Sequence, residues 1–446
     1  MNTSSLAIGE SEVIANPRKN YILRACAIWG FATLFYFYDN LLQVSPSAMK
    51  PELSLAFAKE AEQFGSLSAF CLYAYGLMQI PAGILMDRFG PRRLLTLACL
   101  LCSVGSLLFG VATTLWEAKF GRVMIGVGAA FALVGCLKIA NHWFSSNRIA
   151  LMTGLTVTVG FLGAVFGLST VSKIVEYFGW RQSMTLGGWF GLLLAALLWL
   201  VLRDKIKENE SVSLSSKPVT AVRPNADMIT GLITVLKHKQ TWIAALYAGL
   251  MFVPTLAFGG LWGIPFLVEA HGFDRASAGM CISLIYVGWV FGCPLWGLLS
   301  DFLKLRNFPM MIATIVTLAD CLAILYLHPL PVEVLGTLLF CLGFFSSGFI
   351  LAFTVVQESN PSHVSGTAIG FTNALNTLWG ALAQPIIGKI LDMNHAQGVS
   401  DPTVGERIFT LAEYQHALLT LPISLLLSLC LLFFLKETYC RTQGRQ

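Results

Sequence analysis

The sequence predicts an all-α membrane protein with about twelve spanning helices, and three observations support this fold class. The chain is 56% hydrophobic and only 12% charged, and its mean hydropathy of +0.70 lies outside the range of water-soluble globular domains. A spanning helix needs roughly 20 apolar residues, and about twelve runs of that length follow one another along the chain. The loops between them are mostly short, so little of the chain is expected outside the membrane.

The apolar runs divide into two sets of six. We number the predicted helices 1 to 12; they lie near residues 22–46, 64–86, 94–114, 118–142, 149–171, 182–202, 242–267, 276–299, 308–327, 334–356, 366–391 and 414–435. The long polar segment 203–240 is charged and contains Ser and Pro, which is typical of a flexible linker. The predicted organisation is therefore an N-terminal tail (1–21), a first bundle (22–202), this linker, a second bundle (241–435) and a C-terminal tail (436–446).

The distribution of Lys and Arg predicts the orientation. With both termini in the cytoplasm, 19 of the 29 Lys and Arg residues lie on the cytoplasmic side, nine lie outside, and Lys138 remains within a helix. The net charge of +5 then reflects topology, and no aromatic-interleaved basic surface indicates a nucleic-acid partner. We expect a multi-pass protein of a bacterial inner membrane, with the lipid bilayer as its surroundings.

The segment between predicted helices 2 and 3 carries a cluster of fixed charges, which must lie at the membrane surface. Its spacing is G-x-x-x-D-R-x-G-x-R-R, formed by Gly83, Asp87, Arg88, Gly90, Arg92 and Arg93. This pattern closely resembles the loop between helices 2 and 3 of the major facilitator superfamily, a family of secondary transporters. The resemblance implies two pseudo-symmetric six-helix bundles that rock about a central site.

A degraded copy of the pattern in the second bundle supports the two-bundle plan. Gly297 and Asp301 repeat the spacing of Gly83 and Asp87, and Lys304 and Arg306 replace the second basic cluster. We interpret the charged segment, together with Asp301, as a gating motif that latches the cytoplasmic side in the outward-open state. Simple anchoring of the topology is the alternative.

Predicted helix 1 carries one polar stripe on an otherwise apolar surface. Tyr36, Asp39, Asn40 and Gln43 follow one another at three- and four-residue spacing. The resemblance implies that this helix lines the cavity, so these residues are candidate substrate contacts. A carboxylate at such a site can exchange a proton, because burial favours its neutral form and a nearby cation favours its charged form. We therefore interpret Asp39 as a proton-coupling residue; a fixed structural ion pair is the alternative.

Arg122 is the predicted partner of Asp39. It begins Arg-Val-Met-Ile-Gly126-Val-Gly128, which resembles the superfamily's helix-4 pattern R-x-x-x-G-x-G. At 1.5 Å per residue, Asp39 lies roughly 22 Å and Arg122 roughly 26 Å above the cytoplasmic face. Either charge alone would be costly at that depth, so we predict an Asp39–Arg122 ion pair.

Four further residues are candidate substrate contacts. Lys138, near the cytoplasmic end of predicted helix 4, either contacts substrate or extends to the membrane surface. Trp262, between Pro254 and Pro265, is the candidate aromatic wall, with anchoring at the interface as its alternative. Asn373 and Gln384 belong to a small and polar stripe on predicted helix 11 that lines the pathway, packs tightly, or does both.

The leading functional prediction is proton-coupled symport, for uptake, of a small polar or anionic metabolite, such as a carboxylate or an amino-acid-like solute. Proton-driven efflux of lipophilic or siderophore-like compounds is one alternative, favoured by the Phe-rich helix 10, and a transporter-like sensor is another. No catalytic constellation, phosphate loop or metal-binding spacing is visible, so we predict no enzyme activity, cofactor or metal. One chain contains both bundles, which predicts a monomer.

Overall fold

The computed structural model describes residues 17–57, 60–144, 146–202, 233–327, 330–361, 364–395 and 409–439, and these ranges contain helices but no strand. Most of the predicted linker and most of each predicted tail therefore lie outside the described residues. Within the ranges, the helices form twelve spans, six before the linker and six after it, as expected for an all-α polytopic membrane protein.

The spans of the first half follow the predicted order. They are α1 (Pro17–Val44), α2 (Ala61–Phe89), α3 (Pro91–Val111), α4 (Leu115–Ala129 and Ala132–Trp143), and α5 and α6, which together cover Ser146–Val201 and are divided at Gly179. Gly179 has a φ of +76°, which an L side chain rarely adopts and which breaks the helix. A 3₁₀ turn (Ser45–Met49) and a short helix (Lys50–Ala56) follow α1.

The spans of the second half are more irregular. They are α7 (Lys239–Val253, a π-helical segment Pro254–Trp262, and Gly263–His271), α8 (Arg275–Leu303), α9 (Asn307–Tyr326), α10 (Val332–Ser346, Ser347–Phe349 and Ile350–Ser359), α11 (Ser365–Asn394) and α12 (Leu411–Ala417 and Thr420–Leu432). Pro254 begins the π segment, because it cannot donate a regular backbone hydrogen bond.

Hydropathy distinguishes three spans from the rest. Eight helices of the described chain are long and apolar enough to cross a membrane, and one of them, Met152–Val201, contains both α5 and α6. The spans α1, α2 and α11 do not meet that criterion, although their lengths of 28, 29 and 30 residues suffice. Their polar residues lower the hydropathy, and α2 and α11 pack directly on one another between the two halves.

The turn between α2 and α3 explains part of the charged motif. Gly90 is the single residue between the two helices and has a φ of +78°, which favours glycine. Pro91 follows as the first residue of α3, where its missing N–H is not needed. The glycine and proline therefore reverse the chain at once and hold the charges of the motif beside the ends of both helices.

Close glycine contacts fix α1 against α5. A Cβ on Gly163 would lie 2.1 Å from the carbonyl oxygen of Phe37, and a Cβ on Gly160 would lie 2.1 Å from the Tyr36 ring. Only glycine permits this approach, which holds the polar stripe of α1 in place.

We expect Gly163→Ala to destabilise the folded protein by about 1–3 kcal/mol, because the added methyl group overlaps backbone that cannot move independently. The measurement is thermal unfolding of the purified protein. Gly154→Ala is the matched control on the same helix, since no atom lies within 4 Å of its added Cβ. Equal melting temperatures for the two variants would contradict this account of the α1–α5 contact.

Candidate functional site

Asp39 lies at the centre of the molecule, on α1, and has no exposed surface. Its Oδ1 accepts hydrogen bonds from Gln43 Nε2 at 2.8 Å and Asn40 Nδ2 at 3.2 Å. Its Oδ2 is buried and has no hydrogen-bond partner, and no cationic side chain of the described chain forms an ion pair with it. Three residues of the predicted stripe thus form one local cluster.

The predicted Asp39–Arg122 ion pair is absent from this conformation. The Arg122 guanidinium is fully buried and donates from Nη1 to Leu42 O at 2.8 Å and from Nη2 to Gln43 O at 3.0 Å. These carbonyls lie in the last turn of α1, at the negative end of the helix dipole, and Leu42 O also accepts from Ser45 Oγ at 3.0 Å. They are three and four residues beyond Asp39, about 4.5–6 Å further along the helix. The estimated depths already placed Arg122 roughly 4 Å beyond Asp39, and the ion pair was predicted wrongly because that difference was treated as negligible.

We expect Arg122→Met to lower the free energy of unfolding by about 1–3 kcal/mol, because Gln43 O loses the hydrogen bond from the guanidinium and Leu42 O keeps only the one from Ser45 Oγ. Arg181→Met is the control, since Arg181 donates to Gly110 O and Ala112 O at the end of α3 but is itself exposed. Thermal unfolding measures the stability of both variants. A loss of stability in Arg122→Met that is equal to or smaller than that in Arg181→Met would contradict the capping role of Arg122.

The rest of the polar cluster comes from both halves. The Tyr36 ring packs on Gly160 of α5. Gly76 of α2 contacts Ala374 of α11, so their chain neighbours Tyr75 and Asn373 lie where the two halves meet. Tyr75 could not be predicted from the sequence as a site residue, because a lone tyrosine in an apolar run carries no pattern.

Trp262 and Gln384 are buried in the packed interior and do not line an open cavity. Trp262 is fully buried; its Nε1 donates to Gln384 O at 3.0 Å, and its ring meets Phe64 of α2 edge-on at 5.5 Å. Gln384 Nε2 donates to Leu256 O at 3.0 Å. Both residues therefore join α7 to α11, and Trp262 also joins the second half to the first. In this conformation neither one faces a free pathway.

The two halves meet on one side of the membrane, which we call the far side because α1 ends there; the opposite side, where α1 begins, is the terminus side. Lys50, only 3% exposed, forms an ion pair with Glu269 at the end of α7. Glu269 Oε2 also accepts from Phe409 N at 3.1 Å, and Lys50 Nζ lies 5.2 Å from the centre of the Phe409 ring. These residues form a buried bridge between the halves.

Further far-side contacts extend this closure. Arg275 at the start of α8 pairs with Glu52 at 2.7 Å, and Ser47 Oγ donates to Leu261 O at 2.6 Å. Both carboxylate oxygens of Asp392, on α11, accept from the first backbone N–H groups of α2, at Ala61 (3.0 Å) and Glu62 (2.8 Å). A carboxylate from the second half thus caps a helix of the first half.

Glycine positions on α2 and α8 show how far along these helices the two halves stay in contact. A Cβ on Gly65 would lie 2.4 Å from Gln384 O, and one on Gly279 would lie 2.2 Å from Leu168 O, both across the halves. Gly76, three turns along α2, still contacts Ala374 of α11, but Gly83 has no atom within 4 Å of its added Cβ. The helices α2 and α11 therefore separate before the charged motif. On the terminus side, the contacts of Arg92, Lys138 and Arg306 described below each join residues of one half.

The predicted gating residues of the first half make contacts within that half. Arg92 stacks on the Trp199 ring at 4.3 Å and donates to Trp199 O at 3.0 Å, which ties the motif to α6. Arg88 and Arg93 are exposed, and the side chain of Asp87 lies outside the described residues. Lys138 Nζ donates to Met86 O at 2.6 Å, so it holds the last turn of α2 beside the motif. The extension of Lys138 toward the membrane surface fits this position better than a substrate contact.

The corresponding charges of the second half form their own cluster. Arg306 pairs with Asp301 at 2.7 Å and with Glu358, at the end of α10, at 2.7 Å. Thr438 Oγ1 also donates to Glu358 Oε2 at 2.5 Å, and Glu437 accepts from Arg306 N at 2.8 Å. This cluster joins α8, α10 and the segment after α12, all on the terminus side. Within the described ranges, no group of three His, Cys, Asp or Glu side chains is placed to hold a metal ion.

Comparisons with known proteins agree with this architecture. Residues 22–384 match the family model described as Major Facilitator Superfamily. A "Probable hexose phosphate transport protein" of Chlamydia muridarum is 22% identical over 86% of this chain and 88% of its own length. The "Membrane sensor protein UhpC" of Escherichia coli is 23% identical over 83% of this chain and 85% of its own.

A similar fold occurs in a solved structure. The crystal structure of a bacterial homolog to the human lysosomal transporter Spinster, in an inward-facing and unoccupied conformation, superposes with a TM-score of 0.73 at 17% identity. The match covers 94% of this chain and 96% of that one. The observed twelve-span arrangement is thus a known transporter fold.

Proposed function

We propose that this chain, which belongs to the Major Facilitator Superfamily and is therefore a transporter-type protein and not an enzyme, takes up a small polar or anionic metabolite together with protons. The observation that carries the proposal is Asp39: a fully buried carboxyl group in the middle of the molecule, with one oxygen unpartnered and no cation paired to it. The hexose phosphate relative supports a small anionic substrate.

Alternating access supplies the mechanism. The far side is closed by contacts between the halves, whereas the halves separate toward the terminus side. If the termini are cytoplasmic, as the Lys and Arg distribution predicts, this conformation faces inward. Rocking the two halves would break the far-side contacts and bring the terminus-side charges of the two halves together, the latch role we assign to the motif.

Asp39 and Arg122 would couple this motion to a proton. Asp39 would carry a proton in this conformation, because a fully buried carboxylate with no cation paired to it is unfavourable even with the two hydrogen bonds to Oδ1. Arg122 binds two carbonyls of α1 that lie about one turn beyond Asp39. A shift of α4 against α1 by about one turn would place the guanidinium beside Asp39, favour the carboxylate and release the proton.

A sensor is the second candidate, because the sensor UhpC matches over a similar share of the chain. We further propose a monomer in the bacterial inner membrane. The uptake and sensor functions differ in one observable property: a transporter exchanges its ligand across the bilayer, whereas a sensor only binds it.

The first test is a thermal-stability screen of the purified protein against carboxylates, amino acids, dipeptides, sugars, hexose phosphates and lipophilic cations. A ligand at 100 times its dissociation constant adds about 2.7 kcal/mol of stability. Each stabilising compound is then tested for counterflow in proteoliposomes. Exchange of a polar or anionic compound supports uptake. Binding without exchange supports the sensor, and stabilisation by bulky apolar compounds alone supports efflux.

A further inference from the structure

A layer of aromatic rings forms the second-half face of the central region. Trp289 of α8 packs on Phe252 of α7 at 5.1 Å and on Phe349 of α10 at 4.8 Å. Its indole Nε1 donates to Ser346 Oγ at 3.0 Å and Thr255 Oγ1 at 3.2 Å, which fixes the ring. Phe252 and Phe349 stack in parallel, with their centres 4.9 Å apart. The rings are thus rigidly held rather than loosely packed.

This layer faces the first half. Phe161, on α5, contacts Trp289 at 5.5 Å and Tyr286 at 6.1 Å. Seven residues nearer the far side on α5, Leu168 contacts Gly279 of α8. The aromatic contact therefore lies about two turns from this closed region, toward the terminus side. Two turns further on α5, an added Cβ on Gly154 meets no atom within 4 Å. The rings therefore form the last contact before α5 and α8 separate.

The layer also lies at the level of Asp39. Phe161 lies between Gly160 and Gly163 on α5, whose added Cβ atoms would each lie 2.1 Å from Tyr36 or Phe37 of α1. Tyr36 and Phe37 lie three and two residues before Asp39, so Phe161 lies within about one turn of that residue along α1. Phe161 and Phe252 are only partly buried, although both sit near the middle of their helices. The polar stripe of α1 and the Phe161 ring thus belong to the first half, and the Phe252 ring belongs to the second half.

The second half carries few Lys and Arg side chains. Between residues 240 and 388, the only Lys and Arg residues are Arg275, Lys304 and Arg306, all at helix ends. The second half therefore offers rings, and no cation at mid-depth, to a bound solute. The Tyr286 hydroxyl adds one polar group, since it forms no hydrogen bond within the described residues and rests against Gly259 and Gly260 of the π segment.

We propose, resting on the transport function proposed above, that the substrate carries an aromatic or similarly flat apolar ring that packs against Phe161, Phe252 and Trp289 while its polar group meets Tyr36 and Asp39. Edge-to-face and stacked ring pairs favour such a partner over an aliphatic one. This arrangement selects an amphipathic solute and disfavours a sugar phosphate, whose polar surface would face the rings.

Three matched pairs of solutes test the proposal: phenylacetate and acetate, phenylalanine and alanine, and phenyl glucoside and glucose. Dissociation constants are measured by calorimetry on the purified full chain, with glucose 6-phosphate as a ring-free anion. We expect the ring-bearing member of at least one pair to bind about ten- to a hundredfold more tightly, as burial of a phenyl group allows. No binding by any ring-bearing solute, or equal affinities within all pairs, would overturn the proposal.

Two variants test whether the preference for ring-bearing solutes depends on the aromatic layer. Phe161→Leu and Phe252→Leu should each reduce the affinity ratio of the preferred pair by threefold or more. Phe291→Leu is the matched control, because Phe291 is 54% exposed and contacts only the outward Phe340 ring. The ratio compares two ligands on one preparation, so loss of folded protein does not imitate the effect. A ratio unchanged in both test variants would overturn the proposal.

The failure of this proposal is distinguishable from failure of the transport function. If glucose 6-phosphate binds and exchanges by counterflow while no ring-bearing solute binds, the ring preference is wrong and transport stands. If a ring-bearing solute binds with the expected ratios but does not exchange, the ring preference stands and transport is wrong.

Discussion

Asp39→Asn is expected to abolish proton-driven accumulation of substrate while leaving counterflow exchange intact. The amide has nearly the same shape as the protonated carboxyl group and fits the same hydrogen bonds to Gln43 and Asn40, but it cannot release a proton. The halves can therefore still rock with substrate bound, and the proton gradient no longer drives them. The measurement compares uptake into proteoliposomes with and without an imposed pH gradient.

The matched control is Asp320→Asn. Asp320 is also a carboxyl group within a spanning helix, α9, and its Oδ2 is likewise buried without a partner. It lies away from the contacts between the halves, so we expect Asp320→Asn to retain accumulation. Gradient-driven accumulation by Asp39→Asn at the wild-type level would exclude Asp39 as the coupling residue.

Glu269→Gln is expected to open the far side. The variant leaves the Lys50 ammonium buried without its carboxylate, and removal of one partner of a buried pair costs about 3–5 kcal/mol. Because the pair joins the halves only when the far side is closed, the closed state alone is destabilised. The ratio of closed to open molecules should fall by roughly a hundredfold or more.

Labelling detects this shift. A cysteine placed at Ser47, which is 1% exposed in the closed far side, is treated with a membrane-impermeant maleimide and its modification is read by peptide mass spectrometry. Glu52→Gln is the matched control; it breaks the Arg275 pair, which is partly exposed, and such pairs contribute about 0–1 kcal/mol. The exchange Lys50→Glu with Glu269→Lys should restore protection. Unchanged labelling in Glu269→Gln would show that the bridge does not hold the far side closed.

Local sequence patterns were sufficient to predict the spans and the polar stripe. Apolar length predicted a third helix near 94–114 and an eighth near 276–299, and the observed helices are Pro91–Val111 and Arg275–Leu303. The three- and four-residue spacing placed Asp39, Asn40 and Gln43 on one face, and they do form one cluster. These features depend on helix geometry alone.

Contacts between distant segments were not predictable in the same way. The Lys50–Glu269 bridge joins residues 219 positions apart, and nothing in the local pattern of either helix end indicates the other. The Arg122 prediction used depth along the helix, which cannot resolve one turn. The carbonyl groups at the end of α1 and the Asp39 carboxyl group were therefore equally plausible partners of the Arg122 guanidinium. The aromatic layer depends on tertiary packing of four helices and has no periodicity of its own.

The most direct test of the central claim is proton movement coupled to substrate. Proteoliposomes containing the protein and a trapped pH-sensitive dye receive each solute that stabilises the protein in the thermal screen. We predict that at least one such solute acidifies the lumen, that a protonophore abolishes the signal, and that Asp39→Asn gives none. Exchange of a stabilising solute by counterflow, with no change of lumenal pH in the wild-type protein, would contradict proton-coupled uptake.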